Sequence, residues 1–413
     1  MTRYQSLRGT QDILPPLVGK YQKIESSAFR VFRLFGYSEI RTPHIEEAGL
    51  FDRSLGDSSD IVKKEMYVFQ DRKGRQIALR PEGTAPAVRA LVESGVFAKE
   101  KGPWKYFYAG NMFRYERPQK GRNREFCQIG AEFFGEPGPE ADFEIIQTAK
   151  NILDSLAIPF SLKLNTLGCS ECRKRFSSAL RDFLKEKSPG LCEDCRTRMT
   201  ANPLRVLDCK NESDRELVKQ GPRSADILCP ECKKHWNYLM CLLRSSNINF
   251  LFSPYLVRGL DYYTRTVFEF TTEQLGAQDA ILAGGRYDDL VKELGGPRIP
   301  AVGFAIGVER AAELTRETAE SKTDCSLIYL DEISKLRIIP LAGRLRKKGI
   351  SCGILWGEGS LKSKMRKAGE SSKKVIILGE SEIKEGVITL KDLEKSEEKK
   401  IKEEEIENES HWI

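Results

Sequence analysis

Histidine is nearly missing from this 413-residue chain. His44, His235 and His411 are all there is, so a His-centred base or nucleophile relay has little to work with. Chemistry must lean on Arg, Glu, Gln and Tyr. No stretch approaches the roughly 20 uncharged apolar residues that a membrane helix needs. Residues 1–10, with Arg3 and Arg8, lack the apolar centre of a signal peptide. The expectation is a cytoplasmic protein with no membrane partner. Neither Gly-x4-Gly-Lys-Ser/Thr nor Gly-x-Gly-x-x-Gly occurs, which removes the phosphate cradles of P-loop and dinucleotide-binding folds. A nucleotide site must therefore be built by arginines on an antiparallel sheet.

Eleven cysteines, an odd number, in a large chain without a secretory signal read as thiols or metal ligands rather than a disulfide framework. Cys169 and Cys172, Cys192 and Cys195, and Cys229 and Cys232 form three Cys-x-x-Cys pairs. The first and second are separated by 19 residues, a spacing like that of a zinc ribbon. Cys209 and His235 are further candidate ligands. Buried reduced thiols also pack well, so Zn2+ is possible, no ligand set is fixed, and the combination of pairs stays open.

With 40% hydrophobic and 31% charged residues, the chain can bury several cores, and its length suggests two or three domains. Lys plus Arg exceeds Asp plus Glu by 67 − 60 = 7, an excess that permits nucleic acid or nucleotide partners without requiring them. Helical patterns fall at 19–35, 84–94 and 141–156. Aromatic, alternating runs at 104–114 and 125–134 flank the basic turn 117–124, which predicts an antiparallel hairpin. Nine of the eleven cysteines fall between Cys127 and Cys241. Apolar, Gly-punctuated strands resume over 250–313. The expected domains are 1–167 and 248–318 as two parts of one antiparallel-sheet domain, a Cys-rich insertion at 168–247, and a small α/β domain at 323–413, with 317–323 as linker. Residues 333–377 carry 12 basic side chains against Glu358 and Glu370, and 378–413 carry 6 basic against 12 acidic.

Four segments place Arg, Gly and carboxylates where a bland core would place Val or Leu. Leu79-Arg-Pro-Glu-Gly-Thr84 is a charged turn before a helix, where Glu82 and Thr84 suit an amine; a helix cap explains Thr84 about as well. Within 113–132, Arg114 and Glu116 end one strand, Lys120, Arg122 and Arg124 line the turn, and Phe126, Gln128 and Glu132 share one face of the returning strand. Arginines suit phosphates, Phe126 an adenine face, and Gln128 with Glu132 a small polar ligand. A solvated basic tip would leave the two strand-borne polar groups unexplained. In 257–269, Arg258 and Asp261 beside Tyr262 and Tyr263 mark a polar wall, and in 283–290 Gly284 and Gly285 let backbone approach a ligand. An ordinary strand with a glycine bulge is the plain alternative. In 301–314 a Gly-spaced strand enters a helix whose first turn holds Glu309 and Arg310, and an arginine there opposes the macrodipole unless an anion binds.

Together these segments resemble the class II aminoacyl-tRNA synthetases. Arg41-Thr-Pro-His-Ile-Glu46 is similar to the family's first, dimer-forming motif, 113–132 to its second and 301–314 to its third, while 257–269 with 283–290 resembles the histidine-specific motifs of the histidyl members. The resemblance implies an α+β antiparallel-sheet catalytic domain with a Cys-rich insertion, a C-terminal α/β anticodon-binding domain, and a homodimer. It implies activation of L-histidine by ATP, with Mg2+, and transfer to the 3′ end of tRNA(His). Arg114 and Arg310 would hold ATP phosphates, Phe126 would stack on adenine, and Arg122 and Glu116 would complete that site. Glu82, Gly83, Thr84 and Gln128 would hold the histidine amino group, Glu132 and Tyr263 the imidazole, and Arg258 the carboxylate and α-phosphate, with Asp261 and Tyr262 supporting the wall. Arg258 and Arg114 would be catalytic by charge stabilisation, with no covalent intermediate. A site pairing both ring nitrogens rejects analogues by roughly 10⁴ to 10⁵, so no editing domain is required. Arg344, Arg346, Lys347 and Lys348, on a basic helix, and Gln119 on the hairpin turn would touch tRNA. The regulatory subunit of ATP phosphoribosyltransferase shares the catalytic fold but resembles these proteins poorly at the ATP arginines and lacks the anticodon-binding domain; Arg114, Arg122, Arg310 and the basic segment separate this chain from it. A class II synthetase of another amino acid is the other alternative.

Overall fold

The structure, a computed structural model, describes residues 4–56, 59, 61–276, 279–316, 322–408 and 411–412, and it divides into two compact units, 1–317 and 318–413. Of the expected linker at 317–323, residues 317–321 lie outside the described residues.

The first unit is built on an eight-stranded sheet in the order Ser38–Glu39, Trp104–Phe113, Glu125–Phe134, Ala301–Gly307, Ala280–Arg286, Thr264–Thr271, Ser161–Thr166, Leu251–Phe252. The short outer strands pair parallel and all inner pairs are antiparallel. Strands from both sides of the Cys-rich stretch are thus neighbours in one sheet. Alternation then sorts the side chains. Cys127, Ile129, Ala131 and Phe133 lie in the core shared with the helices Leu17–Leu34 and Pro139–Ser155. The intervening positions, Phe126, Gln128, Gly130 and Glu132, take the opposite face. The second core, around Phe51, Val88, Tyr262 and Tyr287, covers part of that face.

Between Thr166 and Leu251 the chain forms the helices Ser170–Glu186, Glu193–Ala201, Glu212–Val218 and Pro230–Ser245. The first three surround a small core of Phe176, Leu180, Cys195 and Val206. The fourth buries Trp236, Leu239 and Leu243 in the main core.

The second unit has a five-stranded sheet in the order Cys352–Ile354, Thr323–Tyr329, Ser372–Leu378, Val387–Asp392, Glu397–Lys402. The first three strands are parallel and the last two antiparallel. Its helix Glu332–Lys347 begins at a capping box in which Asp331 accepts from the Ser334 amide at 2.7 Å, an arrangement that stabilises a helix start. The charge-rich tail is not loose. Glu397–Lys402 pairs along Val387–Asp392, and Ile401 and Ile406 are buried.

Candidate functional site

The hairpin Trp104–Phe113 and Glu125–Phe134 pairs Tyr106 with Glu132 and Tyr108 with Gly130. Glu132 is 1% exposed and sits at the centre of a hydroxyl cage. It accepts from Thr84 Oγ1 at 2.8 Å, from Tyr108 OH at 3.2 Å and from Tyr287 OH. Burial raises its carboxyl to about 8, Glu82 adding to the rise and the hydroxyl donors opposing it. Three glycines make room for this group. A Cβ on Gly303 would lie 1.7 Å from Glu132 Oε2, and Cβ atoms on Gly83 and Gly130 would lie 2.2 and 2.4 Å from the Tyr108 ring. Tyr108 and Tyr287 were missed as site residues by reading the sequence. Their signals were there: Tyr287 follows the Gly-Gly-Arg of 284–286, and Tyr108 alternates with Tyr106 on the hairpin.

Thr84 turns its hydroxyl to Glu132, and the cap of the helix Thr84–Ser94 comes from Glu82, which accepts from the Thr84 and Ala85 amides at 2.7 and 2.8 Å. The capping alternative for Thr84 is thereby corrected. Burial raises the Glu82 carboxyl, and the two amides and Arg114 hold the rise down. Gln128, on the same strand face as Glu132, keeps its Oε1 buried with no partner among the described residues. A buried acceptor in that state is costly unless a donor arrives.

The wall from Arg258 to Tyr263 is held from both sides. Arg258 is ion-paired with Glu269, while its Nε is buried without a partner among the described residues. Burial alone would lower the Arg258 guanidinium, but Glu269 and the neighbouring tyrosines raise it. Tyr262 packs on Tyr263 and Tyr287 with ring centroids 4.7 and 5.5 Å apart. Asp261 turns away from the tyrosines: its Oδ1 accepts from Asn202 at 3.0 Å and Arg205 at 3.1 Å, and its carbonyl from Arg173 at 2.6 Å. Asp261 is therefore a support for the wall, anchored to the helical insertion. A cavity of about 250 Å³ lies here, lined by Arg173, Arg205, Arg258, Asp261 and Tyr263.

Arginines gather beside it. Arg114 donates to the Pro81 carbonyl at 2.9 Å and lies over the Phe126 ring at 5.2 Å. Glu116 accepts from Arg122 at 3.0 Å and stands 3.9 Å from Arg114. Arg310, in the first turn of the helix Val308–Leu314, donates to the Ala280 carbonyl at 2.7 Å. Burial lowers the Arg310 guanidinium, and Arg122, Arg258 and Arg114 lower it further against Glu116. Arg310 thus feels the charge of three other guanidiniums, two of them paired with Glu116 and Glu269, a setting that suits an anion. A second cavity of about 580 Å³ opens at the hairpin tip, lined by Lys64, Tyr115, Glu116, Gln119 and Arg122.

Two sequence expectations change and one open question closes. His235 is not among the metal-type groups. It bonds Asp142 and, at 3.1 Å, Arg265, inside a buried network in which Arg286 donates to Asp142 at 2.8 Å. The combination of the Cys-x-x-Cys pairs, which the sequence left open, is first with third, and the second stands with Cys209, one of the candidate ligands. Cys169 and Cys172 meet Cys229 and Cys232, and Cys192 and Cys195 meet Cys209 and Asp214. Arg344 is not a free member of a basic face, since it donates to Glu403 and Glu407 at 2.8 Å each, whereas Arg346, Lys347 and Lys348 are exposed.

Comparison with known proteins covers nearly the whole chain. The family described as histidyl-tRNA synthetase matches residues 9–311, and the one described as anticodon binding domain matches 324–409. The histidine–tRNA ligase of Thermodesulfovibrio yellowstonii is 46% identical over 396 residues, 95% of this chain and 94% of that protein. That of Aquifex aeolicus is 45% identical over 401 residues, 96% of this chain and 98% of that protein. The crystal structure of apo histidyl-tRNA synthetase from S. aureus superposes with a TM-score of 0.82 at 30% identity, covering 98% of this chain and 99% of that one.

Proposed function

The chain belongs to the histidyl-tRNA synthetase family, and from that premise we propose how its own residues join histidine to tRNA(His) with ATP. Its catalytic unit is of the class II synthetase type, and an anticodon-binding α/β domain follows. The observation that carries the residue assignment is the adjacency of two unlike environments. Glu132 and Gln128 present buried acceptors on one strand face, and arginines adjoin the same pocket, Arg114 at the Pro81 carbonyl beside Glu82 and Arg258 beside Tyr263, which also feels Glu132. The first suits a ligand with an amine and a ring N–H, the second a triphosphate.

Glu132 and Tyr263 hold the imidazole, and Gln128, Glu82 and Thr84 orient the amino group, with Gly83 leaving room for Tyr108. Arg258 fixes the carboxylate against the α-phosphorus, with Tyr262 and Asp261 behind it. Arg114 and Arg310 bind the phosphates, and Phe126, under the Arg114 guanidinium, offers its other face to adenine. Arg122 and Glu116 close the nucleotide site. The histidine carboxylate attacks the α-phosphorus in line, the bond to pyrophosphate breaks, and the ribose hydroxyl of tRNA then takes the acyl group from the adenylate, releasing AMP. Positioning and charge stabilisation carry both steps. Mg2+ arriving with ATP would neutralise pyrophosphate charge, and the Glu116 carboxylate is an oxygen donor that fits such an ion.

Gln119 on the hairpin and Arg346, Lys347 and Lys348 of the second unit contact tRNA. A homodimer is favoured by the apolar side chains that the three-stranded sheet of Ile45–Glu47, Gln76–Leu79 and Tyr67–Gln70 leaves in solvent, with Ile45, Val68 and Phe69 between 44% and 49% exposed. The work is done in the cytoplasm, and no helix among the described residues is long and apolar enough to cross a membrane. ATP-pyrophosphate exchange run with each amino acid tests the reading. Exchange with histidine alone is expected, and its absence with histidine would overturn it.

A further inference from the structure

Two groups of four side chains in the helical insertion have no part in the chemistry above. In each, the ligand-type atoms all lie within 4.8 Å of one another: Cys169, Cys172, Cys229 and Cys232 in one, Cys192, Cys195, Cys209 and Asp214 in the other. We propose that each group binds one tetrahedral zinc ion, and that the two ions pin the insertion to the wall that carries Arg258 and Tyr263.

Sulfur spacing is the first argument. Cys169 Sγ and Cys172 Sγ are 3.6 Å apart, and Cys192 Sγ and Cys209 Sγ 3.9 Å. A disulfide requires about 2.05 Å. Zn–S bonds of about 2.3 Å at tetrahedral angles place sulfurs about 3.8 Å apart. A four-iron cluster would hold its cysteines farther apart, because each binds a different iron, and a two-iron cluster would hold one cysteine pair well apart from the other, whereas all four ligand atoms of each group lie within 4.8 Å of one another. The spacing fits one ion per group.

The backbone is arranged for anions. Cys169, Cys192 and Cys229 occupy the N-cap positions of helices of 17, 9 and 16 residues, so every Cys-x-x-Cys lies at the positive end of a helix. Amides also point at the ligand atoms. Cys169 N donates to Cys232 Sγ at 3.2 Å and Cys229 N to Cys172 Sγ at 3.1 Å, a reciprocal pair. In the second group Asn211 N donates to Cys209 Sγ at 3.4 Å and Cys192 N to Asp214 Oδ1 at 3.1 Å. Donors of this kind orient metal ligands. Cys172, Cys195, Cys209, Cys232 and Asp214 are buried.

Each group adjoins one of the anchors on Asp261. Arg173, next to Cys172, donates to the Asp261 and Tyr263 carbonyls at 2.6 and 2.8 Å. Asn202 and Arg205, which hold Asp261 Oδ1, flank or lie within the turn Pro203–Asp208 that leads into Cys209. A small core of eight buried residues gains in this way the fastening that small helical modules take from metal.

The test is elemental analysis of the full-length protein purified without added metal. About two zinc ions per chain are expected. A mercurial that caps thiols should release both into a chromogenic chelator, and Cys169→Ser and Cys192→Ser should each keep about one. Where a variant does not fold, cobalt substitution of the unmodified chain serves, with the visible bands of tetrahedral cobalt thiolate expected. Protein that holds no zinc as purified, and takes up none when its seven group cysteines are kept reduced, would overturn the proposal. So would stoichiometric iron in place of zinc, or full metal content in both variants.

Discussion

At the scale of single residues, Glu132 decides most. Its carboxyl sits near 8 rather than at its usual 4.5, so the folded chain binds a proton there that the unfolded chain has released. A raised carboxyl contributes stability that is complete below about 4.5 and is lost as pH climbs through about 8. Without ligand, Glu132→Gln should therefore gain thermal stability relative to the parent as pH rises from 5 to 9, with the difference in Tm growing across that window. The variant should also bind histidine more weakly while keeping ATP affinity, and equal losses for both ligands in calorimetry would make Glu132 structural. Gly303→Ala probes the same point sterically. Its new methyl carbon must displace Glu132 or the strand, at about 1–3 kcal/mol for overpacking, and histidine-dependent exchange should be lost while the sheet still forms. Arg258→Ala should lower exchange by at least about 10² to 10³, the loss typical of one charge-stabilising donor, in kcat more than in KM for ATP. Because that change strands Glu269, the double variant with Glu269→Gln should recover stability without recovering exchange.

At the scale of elements, the hairpin was legible and the cysteine groups were not. Strict alternation with a basic turn fixed the strands at 104–113 and 125–134 almost to the residue, and with them the shared face of Phe126, Gln128 and Glu132. Which Cys-x-x-Cys meets which depends on how helices 170–186 and 230–245 come together, a tertiary fact that local spacing does not carry. The cage around Glu132 was half legible for the same reason: Thr84 stood in a motif, whereas Tyr108 reaches it across the sheet. The tail beyond Leu393 reads as mere charge, yet Ile401 and Ile406 are enough to seat it, and its glutamates meet the basic helix. Arg344→Gln should accordingly loosen the second unit, lowering its melting temperature by removing partly exposed pairs worth about 0.2–1 kcal/mol each. Arg346, Lys347 and Lys348 changed to Gln should weaken tRNA binding and lower melting only by the loss of the Arg346 hydrogen bond to the Cys352 carbonyl, 2.9 Å long. If that triple variant charges tRNA with the parental KM at every salt concentration, the exposed cluster is only a solvated face.

At the scale of the whole molecule, the two units bury separate interiors. Among the described residues, the cores of the first contain none beyond Leu314, and those of the second none before Cys325. Nothing assigned to adenylation lies after Arg310, so removal of residues from 323 onward should leave histidine-dependent ATP-pyrophosphate exchange largely working. Transfer to tRNA should collapse, because the positive segment 333–377 leaves with the deleted part. Its charge makes a graded statement possible. Each tRNA phosphate that is no longer neutralised reduces the slope of log K against log salt by about one, so the truncated chain should bind tRNA both more weakly and with less sensitivity to salt. Equal slopes for the full and truncated chains would place the tRNA-binding residues on the first unit, at the hairpin tip around Gln119 and the arginines beside it, and the second unit's basic residues would then have no share in holding the nucleic acid.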